Sequence, residues 1–301
     1  MIMGEKLPNN ILKEIDQIKI DNISGSIELA KKSAEVLKLL ILETDSFSQV
    51  KNVAFSLTKA QPTMASIFNL VNNLMLNIEA NKGQELTNVI NSYCEKFIQN
   101  LKTSDRLISK NANKIFEDDS TVLTHSYSST VLNTILYAKK IGKTFSVVCT
   151  ESRPMMEGLK LAKTLGKNGI KVKLIVDSAI FSFIKDANLI LLGADAITTK
   201  GLINKIGTKG ISITAKHHKT PTYSLCSTIK FIPENYTLKL DQQKNPEELL
   251  INKLTNVTPV NYYFDLTPLE YLTGFITENE IINSLDIKNK ISHLQLYKGF
   301  C

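Results

Sequence analysis

Arginine is nearly absent from this chain. Two residues, Arg106 and Arg153, stand against 34 lysines in 301 positions. Arginine's planar fork grips carboxylate or phosphate through paired hydrogen bonds, so recognition of that kind is confined to two places. No apolar run approaches the ~20 residues needed to cross a bilayer. The amino terminus, MIMGEKLPNN, lacks the basic flank, apolar core and small-residue cleavage site of a signal peptide, and a cytoplasmic location is expected. Cys94, Cys149, Cys226 and Cys301 are scattered, with no CxxC pair and no ligand-like spacing to the four histidines. That pattern argues against both a zinc site and a disulfide framework. A GxGxxG dinucleotide fingerprint is also missing. No metal and no cofactor are therefore expected. There is no block of five or more basic residues and no interleaved aromatic motif, which disfavours direct sequence-specific nucleic-acid binding.

What is present is ordinary soluble-protein material, 43% apolar and 22% charged, in a chain long enough for two domains. The net charge of +7 reads first as a solvated lysine surface. The same charge could steer the protein toward an acidic or nucleic-acid-containing assembly.

Two periodicities divide the chain. Ile27, Ala30, Ala34, Leu37 and Ile41 form one helical stripe, and Ile67, Leu70, Val71, Leu74 and Ile78 another. Leu86, Val89, Ile90, Tyr93 and Phe97 continue the pattern. Pro8 and Pro62 sit where helices could begin, and Gly83 lies between two of them. From about residue 119 short apolar runs alternate with helical segments. The runs are Thr121–Thr124, Thr144–Thr150, Lys171–Asp177, Leu189–Gly193 and Thr222–Cys226. The helical segments are Thr130–Ile141, Met155–Asn168, Ala179–Lys185 and Thr208–His218. Strand and helix in alternation predict right-handed βαβ units on a parallel sheet. The expected fold class is α/β, with a helical domain over residues 1–115 and a Rossmann-like domain over 116–301.

Ligands of such sheets bind beyond the carboxyl ends of the strands, which makes the polar residues there the candidates. They are His125-Ser126, Glu151-Ser152-Arg153, Asp177-Ser178, Asp195 and Asn204-Lys205. Ser128 or Ser129 could cap the next helix, whose free N–H groups would suit a phosphate. Each candidate has a plainer reading. Asp195 ends a buried strand and either faces a polar pocket or caps a turn. Arg153 either pairs with Glu151 or contacts a ligand. Lys205 precedes a small-residue turn that suits an anion, yet a lone lysine is usually solvated. For His125 and Cys149 core packing is the simpler reading, and for His217 and His218 compensation of a helix dipole.

Together the motifs say more. "LTHS", "TESRPMMEG", "VDSA", "LLGADAITTKGLINKIGT" and "FDLTPLEYLTGFITENEII" follow one another in an order and at spacings that resemble a single family. It comprises the alpha, beta and delta regulatory subunits of translation initiation factor 2B, their archaeal relatives, and isomerases of ribose 1,5-bisphosphate and methylthioribose 1-phosphate. "SGSIELAKKSAE" and "KAQPTMASIFNL" extend the likeness more weakly into the helical half. The resemblance implies a homodimer or larger oligomer and, for regulatory members, the alpha subunit of initiation factor 2 as partner.

For the isomerases the resemblance implies a cysteine and an aspartate that move a proton between C1 and C2 of an aldose phosphate. The aspartate corresponds to Asp195. The cysteine position holds Ser126, whose hydroxyl is a poor proton acceptor unless a base activates it. Two phosphate-binding arginines correspond to Ser24 and Gln61, so both cations are missing. Asp195, Arg153, Asn204 and Lys205 remain as residues for a nucleotide or sugar phosphate. The expected function is that of a non-catalytic regulatory subunit, with ribose-1,5-bisphosphate isomerase as the alternative.

Overall fold

The computed structural model describes residues 7–21, 24–238, 243–249, 252 and 254–300. Residues 1–6 of the amino-terminal stretch read for a signal peptide and Cys301 lie outside them. Two compact units emerge, and the chain passes between them four times. Among the described residues, those within 1–103, 229–239 and 292–301 form one unit, and those within 104–228 and 240–291 the other.

The first unit is helical, with α1 (Asn9–Ile20), α2 (Ser26–Leu40), α3 (Phe47–Ala60), α4 (Ala65–Ala80) and the first part of α5 (Leu86–Ala112). Pro8 stands at the N-cap of α1, and Ser46 caps α3 by accepting from the Gln49 N–H. Gly83 makes the turn between α4 and α5 with φ +99°, a left-handed conformation that a side chain would strain. The predicted stripes meet in one core, where Leu37, Leu57, Leu70, Leu74 and Ile90 are fully buried.

The second unit is built on a seven-stranded sheet. Its strands are β1 (Ser120–Thr124), β2 (Phe145–Thr150), β3 (Lys171–Ile175), β4 (Leu189–Leu192), β7 (Thr222–Leu225), β9 (Gly274–Ile276) and β10 (Ile281–Asn283), in the order β10-β9-β7-β4-β1-β2-β3. Every neighbouring pair is parallel except β9–β10. Connecting helices are α6 (Ser129–Lys140), α7 (Glu157–Lys167), the short α8 (Ile180–Phe183) and α9 (Thr208–His217), with α10 (Ile287–Ser292) closing the unit.

The period change at residue 119 thus marks a real change of architecture, and the predicted strands agree with the observed ones to within about two residues. A second sheet was not foreseen. β5 (Ala196–Thr198), β6 (Gly201–Lys205) and β8 (Phe264–Thr267) form an antiparallel three-stranded sheet in the order β5-β6-β8. β5 and β6 pair as a hairpin whose turn is only two residues long, and β8 lies some 60 positions further on in the chain. Asn204 and Lys205 therefore sit on a strand, held in register opposite Asp265 and Phe264.

Two apolar layers flank the large sheet. Val131, Ile135, Leu161 and Leu165 of α6 and α7 pack on one face with Val147 and Cys149. Leu123, Val148 and Ile190 pack on the other with Ile180 and Ile211.

Candidate functional site

The carboxyl ends of β1, β2 and β3 are tied together by polar groups. Ser126 and Ser152 both adopt left-handed backbone, with φ 65° and 63°. The turns this allows send the chain out of the sheet and bring the two serines face to face. The Ser126 N–H donates to Ser152 Oγ at 2.8 Å. The Ser152 and Arg153 N–H groups both donate to the Asp177 carboxylate, each at 2.7 Å. Arg153 itself is exposed, and among the described residues no ion pair joins it to Glu151.

His125 is the hub of this cluster. It is 4% exposed, yet both ring nitrogens have polar partners, so its role is more than the core packing expected of it. Nε2 lies 2.8 Å from the Ile206 carbonyl oxygen. A carbonyl oxygen only accepts, so Nε2 carries the proton. Burial pushes the imidazole pKa down and keeps the ring neutral. Nδ1 is therefore the acceptor, and the Thr150 hydroxyl donates to it at 2.6 Å. Thr150 Oγ1 can then accept only from Ser152, 2.9 Å away. One directed chain results, from the Ser126 amide through Ser152, Thr150 and His125 to Ile206. The shorter contacts set its direction, since the other two acceptors near the Ser152 hydroxyl, His125 Nδ1 and the Thr150 carbonyl oxygen, both lie at 3.4 Å. The imidazole has no lone pair left with which to activate Ser126.

Glycines let the neighbouring turns close on this hub. A Cβ on Gly207 would meet His125 Nε2 at 3.2 Å, and its φ of +105° favours glycine in any case. A Cβ on Gly193 would lie 2.8 Å from Ser128 Cβ. Ser128 caps α6 by accepting from the Val131 N–H at 3.3 Å, as one of the two expected serines should.

The turn after Lys205 does hold an anion, but one from the protein itself. Asp265 of β8 accepts from the Gly207 N–H at 2.8 Å and from the Lys209 N–H at 3.1 Å, capping α9. Burial raises the Asp265 pKa above the usual carboxylate range, and the two backbone donors offset part of that rise. Lys205 is not solvated: it is 4% exposed, pairs with Glu157 at 2.9 Å, and lies 4.8 Å from the centre of the Tyr263 ring. Glu157 Oε2 is buried without a donor among the described residues. Asn204 donates to Thr208 Oγ1 at 3.0 Å. Asp195 is half-buried, and its N–H donates to the Ile203 carbonyl at the base of the β5–β6 hairpin.

Ser24 and Gln61 lie in the helical unit, where they converge on one residue. The Ser24 N–H donates to Asp21 Oδ1 at 2.8 Å, and Gln61 Nε2 donates to the Ile18 carbonyl at 2.8 Å and the Asp21 carbonyl at 3.3 Å. Lys32 pairs with the Asp21 carboxylate at 2.7 Å and donates to Ser24 Oγ at 3.2 Å. The Gln61 amide thus closes the carboxyl end of α1, which otherwise leaves carbonyls without partners.

Sequence reasoning missed Thr150, Glu157, Tyr263 and Asp265. The "FDLT" segment carried the only signal for Asp265, and nothing local tied it to a helix some 60 residues upstream.

The sequence matches the Initiation factor 2 subunit family over residues 22–284. The chain belongs to this family. Within it, the protein is similar to a translation initiation factor eIF-2B subunit 2-like protein of Pyrococcus furiosus. The two are 32% identical over 280 residues, covering 92% of this chain and 97% of the relative. It is equally similar to the ribose 1,5-bisphosphate isomerase of Methanocaldococcus jannaschii, at 34% identity over 285 residues, 91% of this chain and 92% of that one. Among solved structures, the translation initiation factor eIF-2B of Pyrococcus horikoshii OT3 superposes with a TM-score of 0.80 at 30% identity. That match covers 92% of this chain and 98% of the other. The family therefore contains both a translation factor and an enzyme at nearly the same distance, and membership alone does not choose between them.

Proposed function

We propose that this protein is a non-catalytic, regulatory-subunit-like member of the family. It assembles as an oligomer and binds the alpha subunit of initiation factor 2, with the exposed Arg153 at the strand ends as the group to meet a small phosphorylated ligand. The observation that carries the reading is the state of His125. Ser126 stands where the isomerases are expected to carry a cysteine, and the one imidazole nearby is neutral with both nitrogens committed. A serine hydroxyl without a base exchanges protons poorly near neutral pH. The positions matching the two phosphate-binding arginines point the same way, since the Ser24 N–H is spent on the Asp21 carboxylate and the Gln61 amide on backbone carbonyls of Ile18 and Asp21. Losing a charge-assisted phosphate contact weakens binding by about 1.5–3 kcal/mol. Solved eIF-2B assemblies such as the tetrameric beta2-delta2 complex of C. thermophilum share the fold and support an oligomer.

The alternative, an isomerase of ribose 1,5-bisphosphate, draws on the equal similarity to that enzyme and on Asp195. Two experiments separate the readings. Purified protein offered ribose 1,5-bisphosphate is expected to give no ketose above background. Turnover of about 1 per second or faster, abolished by Asp195→Asn, would reverse the assignment. Immobilised protein at low salt should retain the purified alpha subunit of initiation factor 2, and its failure to do so would remove the proposed partner.

A further inference from the structure

The positive charge of this protein is not evenly spread. Residues 129–169, which span α6, β2 and α7, contain seven basic and two acidic residues. One of those acids, Glu157, turns inward to Lys205. The outward face of α7 carries Lys160, Lys163 and Lys167, all exposed and without an acidic partner among the described residues. Lysines three and four apart on a helix repel one another and cost helix stability, and this helix places no glutamate between them to relieve the cost. They line an open groove of about 370 Å³ with Met156, Leu159 and Thr164. The Lys160 ammonium lies 4.7 Å from the centre of the Tyr127 ring, which fixes one wall. α6 packs beside α7 on the same sheet face, and both run antiparallel to the strands. Exposed Lys139 and Lys140 at the end of α6 thus lie at the same end of the layer as Lys167.

We infer that this α6–α7 face is a docking surface for the phosphate backbone of RNA, bound without regard to sequence. Lys160 to Lys167 spans about 10 Å along the helix axis, the length that some three successive phosphates of one strand occupy. Lysines meet phosphates as point charges and need no fork geometry, which suits a chain so poor in arginine. Protein–protein interfaces are depleted in lysine and enriched in arginine and aromatics, the reverse of this face. Insertion into a membrane surface requires an apolar helix face, and here Met156 and Leu159 are the only large apolar lining residues. The inference does not depend on the partner or ligand proposed above.

The test uses the full-length protein and a fluorescein-labelled RNA duplex of about 20 base pairs, followed by fluorescence anisotropy from about 50 to 200 mM salt. One variant carries Lys160→Glu, Lys163→Glu and Lys167→Glu. A control carries Lys13→Glu, Lys59→Glu and Lys96→Glu, exposed lysines of the helical unit, with the same change in net charge. The α7 variant should weaken binding about 10-fold or more and lower the log–log salt slope by about 3, while the control weakens binding less than about 3-fold. Should the glutamates disturb α7, seen by circular dichroism, the corresponding glutamine variants must show the same order. Three results would overturn the inference: no RNA binding by the unaltered protein, equal loss in both variants, or an α7 variant that keeps RNA but loses an acidic protein partner.

Discussion

At the scale of single residues, His125 decides what this site can do. Its neutral ring is fixed between the Thr150 hydroxyl and the Ile206 carbonyl. Replacing it by alanine leaves two buried polar groups unpaired, and His125→Ala should cost about 2–4 kcal/mol in urea unfolding. The cysteines are equally telling. Burial pushes the Cys94 and Cys149 thiols up to about 12, far from the range in which a thiol exchanges protons at neutral pH. Cys149 lies on β2 next to Thr150, but it cannot substitute for the sulfur missing at Ser126. Native protein at pH 8 should react with an aromatic disulfide at Cys94 and Cys149 only as fast as it unfolds, and immediate labelling of either would refute the burial argument. His125 and Ser126 were both legible in the sequence as strand-end residues. Their division of labour was not, because the left-handed turn at Ser126 that points its amide toward Ser152 has no local sequence signature.

At the scale of elements, two contacts hold helices in place against the strand ends. Gly158 at the start of α7 lies against the end of β2, where a Cβ would come within 1.7 Å of the Thr150 carbonyl oxygen. Gly158→Ala cannot be absorbed by a flexible side chain, so α7 or β2 must move. About 3 kcal/mol of stability should be lost, read from the chemical denaturation midpoint. The amino end of α9 depends on Asp265. Removing the carboxylate by Asp265→Ala should cost about 1 kcal/mol, whereas Asp265→Asn keeps an accepting oxygen and should cost less. Equal losses would mean that charge, not the hydrogen bonds, matters there. Helices and parallel strands were predictable because their periods are written within ten or so residues. The three-stranded sheet was not, since β8 joins β6 across about 60 residues and strands of three to five residues carry little periodic signal.

At the scale of the whole molecule, pH and mass are the accessible readouts. The folded-state pKa of His125 is depressed below its ordinary value of about 6.5. Above that value both folded and unfolded histidine are neutral, and nothing changes. Below it the unfolded chain binds a proton that the folded chain refuses, so stability falls as pH drops below about 6.5. Asp265 acts in the opposite sense, because its raised folded pKa favours the folded state as pH falls through it. The melting temperature should therefore decline between pH 7 and 5, and that decline should shrink in His125→Gln. The chain mass is 33.6 kDa, and light scattering should return a multiple of it if the proposed oligomer forms. A single-chain mass at micromolar concentration would count against it.

Some of this protein was determined by the sequence alone. Two periodicities, the succession of strand and helix, and a set of motifs in fixed order specify a helical half, a parallel sheet and membership of the family. Each of these depends on neighbours within a few turns of chain. Tertiary structure decided which polar groups are spent on one another. Asp177, Asp265 and Glu157 occupy the donors and the cation that looked open to a ligand, and His125 is closed off by a carbonyl 81 positions away. Those pairings join strand ends that only sheet formation brings together, and a linear pattern does not record which of two distant groups will satisfy the other.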